Sequence, residues 1–396
     1  MRSFVGLLDP TRPLVDWAAI VAYRYGRLQQ LMAEQRLDAL LVTTPDNVLY
    51  ATGWPRFRPS AHEGAYNALV VRDAAEPVIF CSEGDEGGAR QDALAADIRV
   101  LPPWNRQWPP LFRQALGDYG VLGKTIGLDG RMGVRLWQQV ADALEGTTVV
   151  DAGRVLDRAR VVKCPDEVQA YEQVVSIVEI GVNTAIAMAG NRWARHTELE
   201  IATAANVELL RRGCHSPDIW CVSGYRTAPV RRYSTDKVVR GEELLLVDGG
   251  GTLNGYRSEF ARTVWTGGRP TVEQRRVYQT VHRALQAAEA LIRRGTMTAK
   301  LEEAVLAVVE EAGLAAYYGG YPYLGHGIGI GPEPPMVTAR YPEHDTALEA
   351  GMLINLEPGV WVPSVGGVRL ENTYLVTEDG YRTLTRAPYD EALLGS

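Results

Sequence analysis

Asp248 ends the apolar run LLLVD, and Glu259 stands inside the next one, YRSEFARTVW. A carboxylate taken out of water is costly unless something pairs it. The candidate partners are an arginine, a hydrogen-bond network or a metal ion. Asn254-Gly255 between the two runs reads as a two-residue hairpin turn. That turn sets Leu253 opposite Tyr256, Gly250 opposite Glu259 and Asp248 opposite Ala261. Because side chains alternate, Asp248 and Glu259 then share one face as diagonal neighbours, about 7–8 Å apart at the backbone. Gly249, Gly250 and Gly251 leave that face open, or mark a bulge that would shift the register. Two converging carboxylates repel each other, and a divalent cation removes the repulsion.

Three further residues suit the same chemistry. His326 lies in the glycine-rich GHGIGIG, Glu357 in INLEPG and Glu371 in GVRLEN. Both glutamates stand in apolar strands, where an unpaired carboxylate is disfavoured. Taken singly, each has a plain structural account: His326 as a satisfied core histidine, Glu357 paired with Arg369, Glu259 networked with Arg262. Five such residues together favour a metal. Four carboxylates and an imidazole are mostly hard oxygen donors, suited to Mn, Fe, Co or Zn, held as a pair of divalent ions.

These residues need a scaffold. At 396 residues the chain exceeds one ordinary core, and 46% hydrophobic with 22% charged residues describes a globular protein. A formal net charge of -7 without a long basic run argues against nucleic acid as the partner. No apolar run approaches the roughly 18–20 residues of a membrane span, and Asp9-Pro10 interrupts any export signal, so no membrane partner and a cytoplasmic location are expected. Cys81, Cys164, Cys214 and Cys221 form no C-x-x-C pair and read as small core residues.

Residues 1–155 alternate helix and strand. YRYGRLQQLMAEQRL carries helical spacing, DALLVT, EPVIFCS and KTIGLDG read as strands, TPDNV as a turn, and VRLWQQVADAL as a helix. This is an α/β layer domain. Residues 156–396 change character. Pro165-Asp166 open a long helix ending near Gly190. Thr197 with Glu200 opens a second, to about Gly213; Thr271 with Gln274 a third, through Arg294; and Thr298 a fourth, which stops at Gly313. The strands IWCVSG, ELLLVD, YRSEFARTVW, MLINLEPGVWV and VRLENTYLVTE surround them. The second domain is therefore α+β, built on an antiparallel sheet.

The ordered set Asp248, Glu259, His326, Glu357, Glu371 resembles the metal centre of the pita-bread metallohydrolases, which include methionine aminopeptidase, aminopeptidase P, prolidase and creatinase-like non-peptidases. DRARVVKCPDEVQAYEQ resembles the opening of that catalytic domain, and RLDALLVTTPDNVLYATGW its creatinase-type amino-terminal domain. The resemblance implies a smaller α/β domain before a pita-bread domain, usually within a homodimer. It also implies a two-ion site whose activated water attacks the scissile amide carbonyl, cleaving the C–N bond of a short peptide, of the Xaa-Pro type, or of a small amide. Glu357 and His326 would serve the chemistry, with Glu357 relaying the proton.

Three departures accompany the resemblance. Glu259 stands where the family mostly has aspartate. HGIGIGPEPP lacks the second histidine of the peptidases and offers Pro332 and Glu333 in its neighbourhood. Arg231 and Arg232, in SGYRTAPVRRYSTDK, replace another. These departures, with SGYRTAP and the ending DGYRTLTRAPYDEALLG, resemble the dimethylsulfoniopropionate lyase of the fold, which makes a lyase or creatinase-like enzyme on a small carboxylate the alternative. That lyase has an aspartate where this chain has Gly250, and its base falls near Pro332, leaving Glu333 as the replacement catalytic group. Arg226, Arg231, Arg232 and Arg369 are the candidates to grip a substrate carboxylate through paired hydrogen bonds.

Overall fold

The computed structural model describes residues 15–54, 66–101, 108–130, 133–190, 195–228, 233–319 and 321–395. They form two compact units that part between Arg160 and Val161. The expected boundary at 155/156 falls inside the helix Gly153–Val161.

The first unit is a six-stranded sheet of β1 (Ala39–Val42), β2 (Tyr66–Val71), β3 (Val78–Ser82), β4 (Asp97–Leu101), β5 (Thr125–Leu128) and β6 (Thr148–Asp151), in the order β4-β3-β2-β1-β5-β6. Strands β3–β4, β1–β5 and β5–β6 pair parallel, and β2 runs antiparallel to both neighbours. Leu41, Leu69, Phe80, Phe112 and Ile126 belong to its core. TPDNV is not a turn: it opens the helix Pro45–Thr52. Proline at the first helical position forfeits no hydrogen bond, and Asp46 in the first turn meets the positive end of the helix dipole.

The second unit contains β7 (Trp220–Ser223), β8 (Leu244–Asp248), β9 (Gly250–Leu253), β10 (Tyr256–Glu259), β11 (Arg262–Trp265), β12 (Gly325–Ile328), β13 (Pro332–Val337), β14 (Leu353–Leu356), β15 (Gly359–Val362), β16 (Gly366–Arg369), β17 (Asn372–Val376) and β18 (Tyr381–Thr383). They make a three-stranded sheet β11-β8-β7, a five-stranded sheet β13-β12-β14-β17-β18 and the two ribbons β9–β10 and β15–β16. Every pairing among them is antiparallel.

Helices Pro165–Ala189, Glu198–Arg211, Val272–Glu289 and Thr298–Glu311 accompany these sheets. Thr197 and Thr271 cap theirs as the capping boxes require. The third helix stops at Glu289, short of the expected Arg294, and the Thr296 hydroxyl then donates to the freed Leu291 carbonyl at 2.8 Å. Pro165–Ala189 spans 25 residues and, contrary to the sequence reading, is long and apolar enough by length and composition to cross a membrane. Its apolar residues Val174, Ile177, Val178 and Val182 are buried, and Gly181 lets Leu209 and Ile219 approach closely.

The Asn254-Gly255 turn has positive φ at both residues, 51° and 88°, the geometry of a tight hairpin whose twist matches its strands. The register follows as expected, with Leu253 opposite Tyr256 and Gly250 opposite Glu259. It continues unshifted past Gly249, since Val247 pairs with Arg262. The glycine run therefore marks no bulge; it marks close approach. A Cβ on Gly250 would lie 2.0 Å from the Ser258 carbonyl oxygen. Gly250→Ala should therefore destabilise the protein by more than about 2 kcal/mol, read as a lowered urea midpoint at unchanged slope.

Candidate metal centre

The carboxylates sit where strands break. Asp248 is the last residue of β8 and Glu259 the last of β10. Glu357 and Glu371 lie one step beyond the Leu356–Asn372 pair that ends the β14–β17 ladder, so they face each other. His326 lies on β12 opposite Asn355, beside an irregularity between His326 and Gly327. All five line one cavity of about 450 Å³, together with Asp218, Trp220, Arg257, Tyr321, Tyr323, Pro332 and Arg369.

Each donor is oriented by a neighbour. His326 Nδ1 lies 2.9 Å from the Gly327 carbonyl, which directs Nε2 into the pocket. Nε2 stands 3.4 Å from Glu259 and 3.6 Å from Glu357. Asn355 Nδ2 donates to Glu371 at 2.9 Å. Arg369, almost fully buried, donates to Asp248 at 2.7 Å and lies 3.4 Å from Glu357. Its guanidinium lies 4.3 Å from the Tyr321 ring centre and 5.6 Å from that of Trp361. Arg257 Nε donates to Glu259 at 2.9 Å, and its Nη2 to Asp218 at 2.7 Å.

The electrostatics follow. Burial pushes the Glu357 carboxyl above its ordinary pKa; Asp248 and Glu259 push the same way, while Arg369 and His326 oppose the shift. Glu371 is raised well above the carboxylate range, first by burial and then by Glu357, Asp248 and Glu259. A pocket that raises two carboxyls, by burial first and by their neighbours' charge second, favours a cation. Among the described residues, no three His, Cys, Asp or Glu side chains stand at the spacing of a ready-made cluster. Arg369 and Arg257 engage three of the four carboxylates. The donor set nevertheless fits a divalent ion: four carboxylates and one oriented imidazole share a pocket wall, and like charges there need neutralising.

The profile of metallopeptidase family M24 matches residues 157–378, and that of the creatinase/prolidase amino-terminal domain matches residues 24–162. The chain belongs to metallopeptidase family M24. It is thus a metal-dependent hydrolase in which a pita-bread domain follows a creatinase-type α/β domain along the chain. Family M24 relatives include the Xaa-Pro dipeptidase of Pyrococcus furiosus, 26% identical over 92% of this chain and 97% of that one. The putative dipeptidase YkvY of Bacillus subtilis is 26% identical over 94% and 99%. The prolidase structure from Pyrococcus horikoshii OT3 superposes with a TM-score of 0.80 at 23% identity, covering 92% of this chain and 99% of that one.

The other sequence-derived candidates are placed differently. Arg226 lies on Glu198 at 3.0 Å and donates to the Tyr233 carbonyl at 2.9 Å, apart from the pocket lining. Glu198 is fully buried and also accepts from Ser223 and Thr235, so Arg226 completes its neutralisation. The SGYRTAP segment that resembled the lyase branch thus serves a buried ion pair. Arg231 and Arg232 lie outside the described residues. Glu333 forms a buried ion pair with Lys163, and Pro332 lines the pocket in its place. Arg257 escaped the sequence reading, although its position two before Glu259 on one strand puts both on the same face. Asp218, Trp220, Tyr321 and Tyr323 carried no comparable signal.

Breaking a buried pair strands one charge, at a cost of about 3–5 kcal/mol. Glu333→Gln should therefore lower stability by that order in chemical denaturation, and the double variant Lys163→Met, Glu333→Leu should recover most of the loss. A Glu333→Gln protein of full stability but no activity would assign Glu333 to catalysis instead.

Proposed function

We propose that this protein is a dipeptidase for Xaa-Pro dipeptides, using a divalent ion of the Mn, Fe, Co or Zn series. The supporting observation is the pocket: ligand-type side chains beside the flat rings of Trp220, Tyr321 and Tyr323, in about 450 Å³. That volume suits a dipeptide, and the rings offer apolar faces to a pyrrolidine. The Xaa-Pro dipeptidase among its relatives supports the same substrate class. Asp248, Glu259, His326, Glu357 and Glu371 would hold the metal, which supplies polarisation of the scissile carbonyl and acidification of the attacking water.

Glu357 would serve as the proton carrier, receiving a proton from the attacking water and passing it to the leaving nitrogen. Arg369 keeps Asp248 and Glu357 in position, and Trp220, Tyr321 and Tyr323 line the pocket wall. The protein would act as a homodimer, by family resemblance. The peptidase reading is preferred to the lyase because Arg226 and Glu333, the residues offered for a lyase, are both consumed in ion pairs.

The metal-loaded protein should hydrolyse Xaa-Pro dipeptides, and Glu357→Gln should lower kcat by about 10²–10⁴-fold with the fold retained. Product analysis by chromatography, with small amides and dimethylsulfoniopropionate run in parallel, decides the matter. Cleavage of the sulfonium substrate without dipeptide hydrolysis would replace this reading.

A further inference from the structure

We infer that Arg257 stands in for a second metal ion, so that each chain binds one divalent cation and not a pair. This rests on the metal-dependent reading of the pocket. It begins from charge. Asp248, Glu259, Glu357 and Glu371 are the pocket's sheltered carboxylates, and Arg369 and Arg257 are the cations among them. One divalent ion neutralises the two negative charges left over. Two ions would leave the pocket positive before any hydroxide entered. Asp218, the other carboxylate on the wall, is 54% exposed and shared with Arg257, so water screens it.

Geometry agrees with charge. Arg257 takes Oε1 of Glu259, Arg369 takes Oδ2 of Asp248 and faces Oε2 of Glu357, and Asn355 takes Oε1 of Glu371. The remaining oxygens of Glu259 and Glu357 face Nε2 of His326 at 3.4 and 3.6 Å. Donors bonded to one ion at about 2.1 Å span separations of this size. His326, Glu259 and Glu357 would thus be among the residues that hold a single ion. The glutamate at position 259 belongs to the same arrangement. Its carboxylate meets Arg257 with one oxygen and His326 with the other.

Arg257 is also held firmly as a cation. Its guanidinium is shared between Glu259 and Asp218, and the second oxygen of Asp218 accepts from the Gly250 N–H at 2.8 Å. That anchor ties the arginine to the β9–β10 ribbon. A mobile surface arginine could not replace an ion; one clamped by two carboxylates can.

The test is metal stoichiometry, independent of turnover. Wild type, Arg257→Gln and Arg257→Lys are dialysed to equilibrium against Co(II) or Mn(II), and bound metal per chain is measured by elemental analysis, with circular dichroism confirming the fold. Wild type and Arg257→Lys should bind one ion, and Arg257→Gln two, with affinity for the second rising at least tenfold. Two ions in the wild type overturn the inference whatever the variants do. One ion in a folded Arg257→Gln overturns the role of Arg257. No metal in any of the three overturns the metal reading itself, a failure distinct from the other two.

Discussion

Four carboxylates drawn from water into one pocket repel one another, and the second unit is arranged around containing that repulsion. Arg369 crosses from the end of β16 to Asp248 and Glu357. Arg257 reaches Glu259 from the same strand. Asn355 donates to Glu371, and Arg262, buried beneath, donates to the Glu371 carbonyl at 2.6 Å and the Ala387 carbonyl at 2.9 Å. Burial raises the Glu357 and Glu371 carboxyls, which is the electrostatic cost that a bound cation relieves.

The sheets meet this demand by breaking. Each run that reads as one continuous strand is interrupted at a charged ligand-type residue or just beside it: YRSEFARTVW after Glu259, MLINLEPGVWV at Glu357, VRLENTYLVTE at Glu371. A carboxylate at a break escapes the alternation that would bury it against the core or turn it to solvent. Glycine then permits close approach: at Gly325 a Cβ would lie 1.9 Å from the Asn355 carbonyl oxygen, on the neighbouring strand. The register on either side stays continuous, so the breaks open space without moving the partners.

Two further buried ion pairs show how similar residues serve structure. Glu198 with Arg226 ties the helix Glu198–Arg211 to the turn after β7. Glu333 with Lys163 ties β13 to the segment before the long helix. Both involve residues whose motif neighbourhood suggested chemistry. In each, a charge without access to the pocket is neutralised by one partner, whereas the metal-centre carboxylates share theirs.

The donor types, the Asn254-Gly255 turn, its register and the two threonine capping boxes were legible in the sequence, because each depends on neighbours in the chain: side-chain alternation, positive φ, and a cap three residues from its partner. Thus Asp248 and Glu259 could be placed on one face from the turn alone. The helix at Pro45 was misread because proline and aspartate serve turns and helix starts alike. What only the tertiary structure decided is which cation each carboxylate meets. Asp248 and Arg369 are 121 residues apart, and Lys163 and Glu333 are 170 apart. Coulomb attraction acts through space, and no local pattern encodes those distances; the packing of β16 against β8 brings Arg369 to Asp248, and the segment before the long helix lies against β13 and keeps Lys163 with Glu333.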